Sequence, residues 1–170
     1  AIMDIAKKYK LEVIEDCAEA HGAMFEGKKV GSFGDIGCFS FYGNKVITTG
    51  EGGMCVTRNK ELDNKMRILR DHGMSKTKKY WHEVIGYNYR MTNLQAAIGL
   101  AQLERIEKIH KNRREYENNY KNCLSKDEFT FQSDFNNRRR ITWLVSVLLD
   151  EKVKRDDYIK KLEKNGIDAR

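Results

Sequence analysis

The hydrophobic period of this chain changes several times, and that alternation constrains the fold more than any other feature. Helical spacing over the first nine residues gives way to a short apolar run at 11–14. Two further β-prone runs, each bounded by glycine, follow at 38–41 and 54–57, and helical spacing returns at 62–69. Strands that alternate with helices predict an open, mostly parallel α/β sheet for this part of the chain.

The later part of the chain carries stronger helix signals. Thr92 and Gln95 have the spacing of a capping box, in which each side chain satisfies a backbone donor of the first helical turn. Apolar side chains continue at helical spacing, which predicts one long helix over 92–120. A strand over 143–149 and a helix over 156–164 complete the expected elements.

These elements predict two domains. Residues 1–120 would form part of a large domain that includes the long connecting helix, and residues 121–170 would begin a smaller α/β domain. The chain has 170 residues, starts with Ala1 and contains no proline, although about 5% proline is ordinary. We therefore expect it to be a piece of a longer protein, with part of any site lying outside it.

The charge allows several kinds of partner. The formal net charge is +7 and the pI is about 9.2, which suits nucleic acid, an anionic membrane or a small phosphorylated ligand. The run 138–140 is all arginine but short, and it follows two asparagines, which is typical of a surface loop. No apolar run approaches the roughly 20 residues of a membrane-spanning helix. We expect neither a nucleic-acid nor a membrane partner.

The four cysteines lie far apart, so no pair has the close spacing of a zinc-ligand set. We expect no metal site. A charged N-terminal start followed by an apolar stretch is also absent from the sequence given, so no secretion signal is predicted. Reduced thiols in a cytoplasmic protein are the simplest interpretation.

Lys45 is the first candidate for chemistry, because it is the only charged residue between Ile36 and Gly50. Its neighbours are mostly apolar, aromatic or hydroxyl-bearing. An amine shielded from water reaches its neutral, nucleophilic form more easily, and lysine is the side chain that forms Schiff bases with carbonyl groups. The alternative is a loop lysine that points into solvent, as most lysines do.

Asp16 is the second candidate, since it follows a predicted strand. Ligands of open α/β sheets bind beyond the carboxyl ends of the strands, where this carboxylate would pair with a cationic group such as a protonated ring nitrogen. The alternative is a carboxylate that caps the turn at 17–20. Ser40 and the glycine-rich stretch 50–53 could hold a phosphate through hydroxyl and backbone N–H groups.

Four segments together resemble a known family. They are 13–23 (VIEDCAEAHGA), 39–53 (FSFYGNKVITTGEGG), 70–73 (RDHG) and 86–91 (GYNYRM). In this order and at these distances they are similar to the nucleotide-sugar aminotransferases, the DegT–StrS group of fold-type-I pyridoxal phosphate enzymes. The resemblance covers nearly the whole chain, and it implies the fold-type-I α/β architecture with part of the large domain and the start of the small one.

The resemblance implies a role for each matching residue of the first two segments. Lys45 would form the Schiff base with pyridoxal 5′-phosphate and then move a proton, so Lys45 and Asp16 would be the catalytic pair. Asp16 would pair with the pyridine nitrogen, Glu19 would lie beside the ring, and Ser40 would bind the cofactor phosphate.

The last segment implies an oligomer. Asn88, with Arg90, would reach the phosphate of the cofactor in the neighbouring subunit. The resemblance therefore implies a homodimer with shared active sites.

The resemblance also implies the substrates. Family members commonly take the amino group from glutamate and pass it to a nucleotide-linked keto sugar. Glu19 together with the stretches 44–49 and 80–85 is most similar to members that aminate a GDP-linked 4-keto-6-deoxy sugar.

Two other functions remain open at the level of sequence. Sugar dehydratases on the same scaffold carry histidine at the Schiff-base position, so Lys45 counts against that reading. A non-catalytic regulator could use the fold as a sensor, and the basic charge leaves room for it, although no nucleic-acid-binding signature is present.

Overall fold

The structure is a computed structural model that describes residues 1–125 and 127–170. In chain order its elements are α1 (Ile2–Tyr9), β1 (Ile14–Asp16), β2 (Met24–Phe25), β3 (Lys28–Lys29), β4 (Ile36–Ser40), β5 (Gly53–Val56), α2 (Lys60–Arg70), α3 (Asn93–Leu103), α4 (Ile106–Cys123), β6 (Phe129–Phe131), β7 (Arg138–Arg139), β8 (Val147–Leu149) and α5 (Arg155–Glu163). Within these described residues, no helix has the length and apolar character needed to cross a membrane.

A three-stranded sheet in the order β1-β4-β5 carries the first half of the chain. β1 pairs with β4 in parallel, whereas β4 pairs with β5 antiparallel, so this sheet is mixed and not mostly parallel as expected. The reason lies in the connections. A parallel pair needs a long crossover, usually helical, and no helix occurs between β4 and β5.

A small second sheet, in the order β3-β2-β7, corrects the interpretation of the arginine run. Glu26 and Gly27, between β2 and β3, both have positive φ, 49° and 76°, which is typical of a tight two-residue hairpin turn. The run 138–140 is not a surface loop: its first two residues form β7 against β2, and Arg140 is largely buried in ion pairs. Arg138 and Arg139 pair through their backbones while their side chains stay exposed, and a buried carboxylate draws only Arg140 away from solvent.

The predicted long helix is two helices. The capping box of Thr92 and Gln95 is confirmed at the start of α3. The break falls at Glu104 and Arg105, where Arg105 has φ −111° and ψ 12°. No glycine or proline marks this position, so no local signal in the sequence predicts the break.

The predicted strand over 143–149 is shorter, because only Val147–Leu149 pairs with β6. Side-chain contacts hold the preceding residues away from the sheet. The Thr142 hydroxyl donates to Glu117, and the Trp143 indole donates to a backbone carbonyl 99 residues earlier. On β6, the buried Phe129 ring packs edge-on against Tyr158 of α5, with centroids 5.9 Å apart.

Glu117 on α4 ties the second half of the chain together. Its carboxylate accepts hydrogen bonds from both terminal nitrogens of Arg140, from Thr142 Oγ1 at 2.6 Å and from Lys121 Nζ at 2.9 Å. Only 4% of the Glu117 side chain is exposed. Burial alone would raise the pKa of Glu117, but these hydrogen bonds outweigh it and hold the pKa at about 2.

Replacing Glu117 by glutamine should destabilise the full-length protein, because the nearly buried Arg140 guanidinium loses its buried counter-charge and keeps only the more exposed Asp134 carboxylate at 3.0 Å. We expect a loss of about 3–5 kcal/mol in the free energy of unfolding at pH 7, measured by urea denaturation. Glu107→Gln is the matched control on the same helix, since its pair with Arg139 is exposed and its loss should change stability little.

The same carboxylate should make stability depend on acid. The pKa of Glu117 is depressed from its ordinary value of 4.5, so its contribution is present above pH 4.5 and lost as pH falls toward 2. In urea titrations across this range, wild type should lose stability more steeply than Glu117→Gln. If stability falls equally with pH in wild type and Glu117→Gln, the ionisation of Glu117 does not cause the acid dependence.

Candidate functional site

The carboxyl ends of β1 and β4 form the edge of the sheet where the candidate residues meet. The parallel register places Asp16 beside Cys38, and Ser40 lies two residues further along β4. Because side chains alternate along a strand, Ser40 shares the face of Cys38 and Asp16. Asp16 is the last residue of β1, whereas the sequence predicted that it follows the strand. The strand ends therefore place a carboxylate and a hydroxyl on one face.

Both polar groups keep unused hydrogen-bonding capacity. Asp16 Oδ1 accepts from the backbone N–H of Ala18 at 3.0 Å, so the capping role uses one oxygen only. Ser40 Oγ accepts from the N–H of Tyr42 at 3.3 Å. In the described part of the chain, no group bonds to Asp16 Oδ2 and no acceptor takes the Ser40 hydroxyl proton. A cation and an anion could therefore bind at these two positions.

Lys45 lies in the lysine loop, which we define as residues 41–52 between β4 and β5. Its side chain is 12% exposed, and Nζ lies 2.8 Å from Glu19 Oε1. The next two residues, Val46 and Ile47, are buried and form part of the small apolar core. Lys45 therefore points inward and not into solvent, and Glu19 supplies its counter-charge.

Trp143 covers the same amine from the second half of the chain. The Lys45 ammonium lies 4.4 Å from the indole ring centroid, within the range of a cation–π contact. The Trp143 Nε1–H also donates to the Asn44 carbonyl at 2.8 Å. From the sequence, Trp143 was predicted only as part of a strand. No local pattern indicates its contact with Asn44, which lies 99 positions earlier.

His21 is a buried residue next to the candidate site that the sequence did not single out. It is 4% exposed, and its ring packs against Phe39 and Phe41 with centroids 5.5 and 5.8 Å away. Neither ring nitrogen has a hydrogen-bond partner among the described residues. Burial lowers the pKa of His21, and repulsion from Lys45 acts in the same direction. The ring therefore adds no positive charge beside Lys45 at neutral pH.

Asn88 and Arg90 lie elsewhere. Asn88 forms a β-bridge with Asp71, and Arg90 Nη1 lies 3.3 Å from Asp71 Oδ1 at the end of α2. Neither residue bonds to Asp16 or Lys45 in the described part of the chain. The structure thus places Asp16 and Ser40 on one face at the strand ends and pairs Lys45 with Glu19, which follows Asp16 by three residues. It leaves Asn88 and Arg90 on a separate, exposed segment.

Comparison with known proteins identifies relatives of the whole chain. GDP-perosamine synthase from Vibrio cholerae is 44% identical over 172 residues, which covers 100% of this chain and 47% of that protein. Helicobacter pylori PseC, an aminotransferase involved in the biosynthesis of pseudoaminic acid, matches with a TM-score of 0.90 and 31% identity over 97% of this chain and 46% of that one. The PLP form of the putative sugar aminotransferase Spr1654 from Streptococcus pneumoniae has a TM-score of 0.83 and 25% identity over 96% of this chain and 44% of that one.

The chain spans about half the length of the curated relatives it matches. Such agreement in fold and sequence confirms the expected α/β class and the fold-type-I assignment. Residues 1–170 match the DegT/DnrJ/EryC1/StrS aminotransferase family, and the chain belongs to it.

Proposed function

We propose that the full-length protein is a pyridoxal phosphate-dependent aminotransferase that moves an amino group from glutamate to a nucleotide-linked 4-keto-6-deoxy sugar. The observation that carries this proposal is the shielded Lys45 amine at the sheet edge that also holds Asp16 and Ser40. Similarity to GDP-perosamine synthases supports a GDP-linked sugar as acceptor. We expect the product to serve polysaccharide synthesis, such as that of O-antigen.

The residues present suit pyridoxal phosphate. Asp16 offers a free carboxylate oxygen to a protonated ring nitrogen, and Lys45 offers an amine to the aldehyde. Ser40 offers a hydroxyl proton to a phosphate oxygen. Glu19 would lie beside the ring, since its carboxylate already reaches Lys45 Nζ at 2.8 Å. When bound, the cofactor supplies an electron sink for negative charge that forms next to the donor nitrogen.

The protein would supply orientation and proton transfer. Asp16 would keep the ring nitrogen protonated, because a carboxylate stabilises a neighbouring cation. Lys45 Nζ would take the proton from the α-carbon of glutamate, which requires the amine to be uncharged and to leave Glu19. The Trp143 ring would limit the approach of water to that amine. In the second half of the cycle, Lys45 would deliver a proton to the sugar carbon that receives the amino group.

We also propose a homodimer with shared sites. α3 is apolar on several sides, and Leu94 and Ile98 are 79% and 53% exposed. A helix that is apolar all round is normally covered. A second copy would cover it and would bring Asn88 and Arg90 of one subunit to the cofactor phosphate of the other. The large domain would end near residue 120 and the small one begin at 121.

A cytoplasmic location completes the proposal. All four cysteines are free thiols. Cys38 and Cys55 lie opposite each other on β4 and β5 with their sulfur atoms 3.9 Å apart, yet they are not bonded. Reduced thiols at such short range fit a reducing compartment.

Lys45→Ala should abolish covalent attachment of pyridoxal phosphate. Borohydride reduction followed by peptide mass spectrometry should find the cofactor on the Lys45 peptide of wild type and nowhere on the variant. Circular dichroism should be unchanged, and glutamate should bleach the visible absorbance of wild type only. Lys60→Ala is the control, because that lysine is exposed on α2 and pairs only with Asp63. Full activity in Lys45→Ala would refute the assignment.

Asp16→Asn should reduce turnover far more than stability. A neutral amide cannot hold the ring nitrogen protonated, so we expect kcat to fall about 100-fold or more while the melting temperature stays nearly unchanged. Asp156→Asn, which removes only an exposed pair with Arg155, should behave like wild type in both measurements. Equal losses of rate and stability in Asp16→Asn would favour a purely structural carboxylate.

Shared sites can be tested by complementation. Lys45→Ala and Asn88→Ala should each be inactive alone, because each damages both sites of its own homodimer. Mixed dimers would contain one intact site, so co-expression should restore about a quarter of wild-type activity if subunits mix randomly. No recovery, with mixed dimers shown by differently tagged subunits, would place Asn88 and Lys45 in the same subunit's site.

A further inference from the structure

Three residues of α3 form a stripe along the lysine loop. Gln95, Gly99 and Gln102 follow the i, i+4, i+7 spacing that places side chains on one face of a helix. The other residues of this helix are largely apolar, so two glutamines on one face stand out. Each member of the stripe contacts residues 48–51 of the lysine loop.

Gln102 makes the main contact. Its side-chain Oε1 accepts from the backbone N–H of Thr48 at 3.1 Å, and its Nε2 donates to the Thr48 carbonyl at 2.5 Å. Nε2 also donates to the Ile98 carbonyl at 3.2 Å, which fixes the amide on its own helix. One side chain thus satisfies both backbone groups of a loop residue 54 positions away, as a neighbouring β-strand would.

The other two members extend this contact. Gln95 Nε2 donates to the Glu51 carbonyl at 3.2 Å. Gly99 leaves room for the Thr49 methyl group against the helix, because a Cβ at this position would lie 2.9 Å from Thr49 Cγ2. Helix and loop are therefore in contact over about two turns of α3.

Hydrogen bonds inside the loop carry this restraint to Lys45. The Thr48 hydroxyl and the Thr49 N–H both donate to the Phe41 carbonyl, at 2.9 Å each. The Lys45 N–H donates to the Tyr42 carbonyl at 3.0 Å. Lys45 therefore sits in a short arc whose far end is held at Thr48 and whose near end continues from β4.

We infer that Gln102 is a positioning residue that holds the lysine loop so that Lys45 presents its amine to the cofactor site. The functional consequence rests on the proposed role of Lys45, whereas the restraint on the loop does not. Leucine at position 102 would fill a similar volume but leave the Thr48 N–H and carbonyl without their partners. Glutamate would still accept from the N–H but would repel the carbonyl.

The restraint can be measured without activity. In the cofactor-free, full-length protein, hydrogen exchange should show that Gln102→Leu lowers amide protection of residues 46–50 about tenfold, with Gln102→Glu in between. Protection of the β4 amides and the melting temperature should stay close to wild type. Asn118→Leu is the control, because it removes an exposed amide of α4 that makes no described side-chain hydrogen bond.

A second readout reaches Lys45 itself. Pyridoxal phosphate, trapped with borohydride, should modify the Lys45 peptide about tenfold more slowly in Gln102→Leu, with partial rescue in Gln102→Glu. Wild-type protection and trapping rates in Gln102→Leu would overturn the inference. If Gln102→Leu fails to fold, Gln102→Glu decides the case by the same two measurements. If wild type itself is not trapped at Lys45, the proposed function fails, while hydrogen exchange still decides whether Gln102 restrains the loop.

Discussion

A shielded lysine amine dictates the rest of this site. Placing the Lys45 ammonium away from water costs free energy unless a counter-charge or a polarisable group lies close. Glu19 supplies the charge at 2.8 Å, and the Trp143 ring supplies a cation–π contact at 4.4 Å. Because Glu19 holds the amine non-covalently, the pair can separate when a carbonyl group arrives. Purely apolar surroundings would also exclude water from the amine, but they would not stabilise its charged form.

Backbone groups near such an amine must also be satisfied, and this explains the polar character of the loop around it. The lysine loop has no helix or strand to pair its N–H and carbonyl groups. The hydroxyls of Thr48 and Thr49 donate to backbone carbonyls of the loop. The Gln102 side chain bonds to both the N–H and the carbonyl of Thr48. Hydrogen bonds therefore restrain the loop without regular secondary structure, which suits the role proposed for Lys45.

The candidate residues that depend on local patterns could be proposed from the sequence. Lys45 stood out by local contrast in charge, and Asp16 by its place at the end of a strand. The capping box at Thr92 was equally local, and the structure confirms it. The contacts of Gln102 and Trp143 span 54 and 99 positions, so no local pattern could report them. The expectation of pyridoxal phosphate came from the family resemblance of four separate segments. Composition and hydrophobic periodicity alone do not indicate a particular cofactor.

Two separate helices restrain the segment that carries Lys45. α3 contacts it directly, since Gln102 pairs with both backbone groups of Thr48. α4 acts through the stretch that contains Trp143: Arg113 donates to the Trp143 carbonyl at 2.5 Å, and Glu117 accepts from the preceding Thr142 at 2.6 Å. The Trp143 ring in turn lies against the Lys45 amine. The lysine loop is therefore held after Lys45 by one helix and covered at Lys45 through the other.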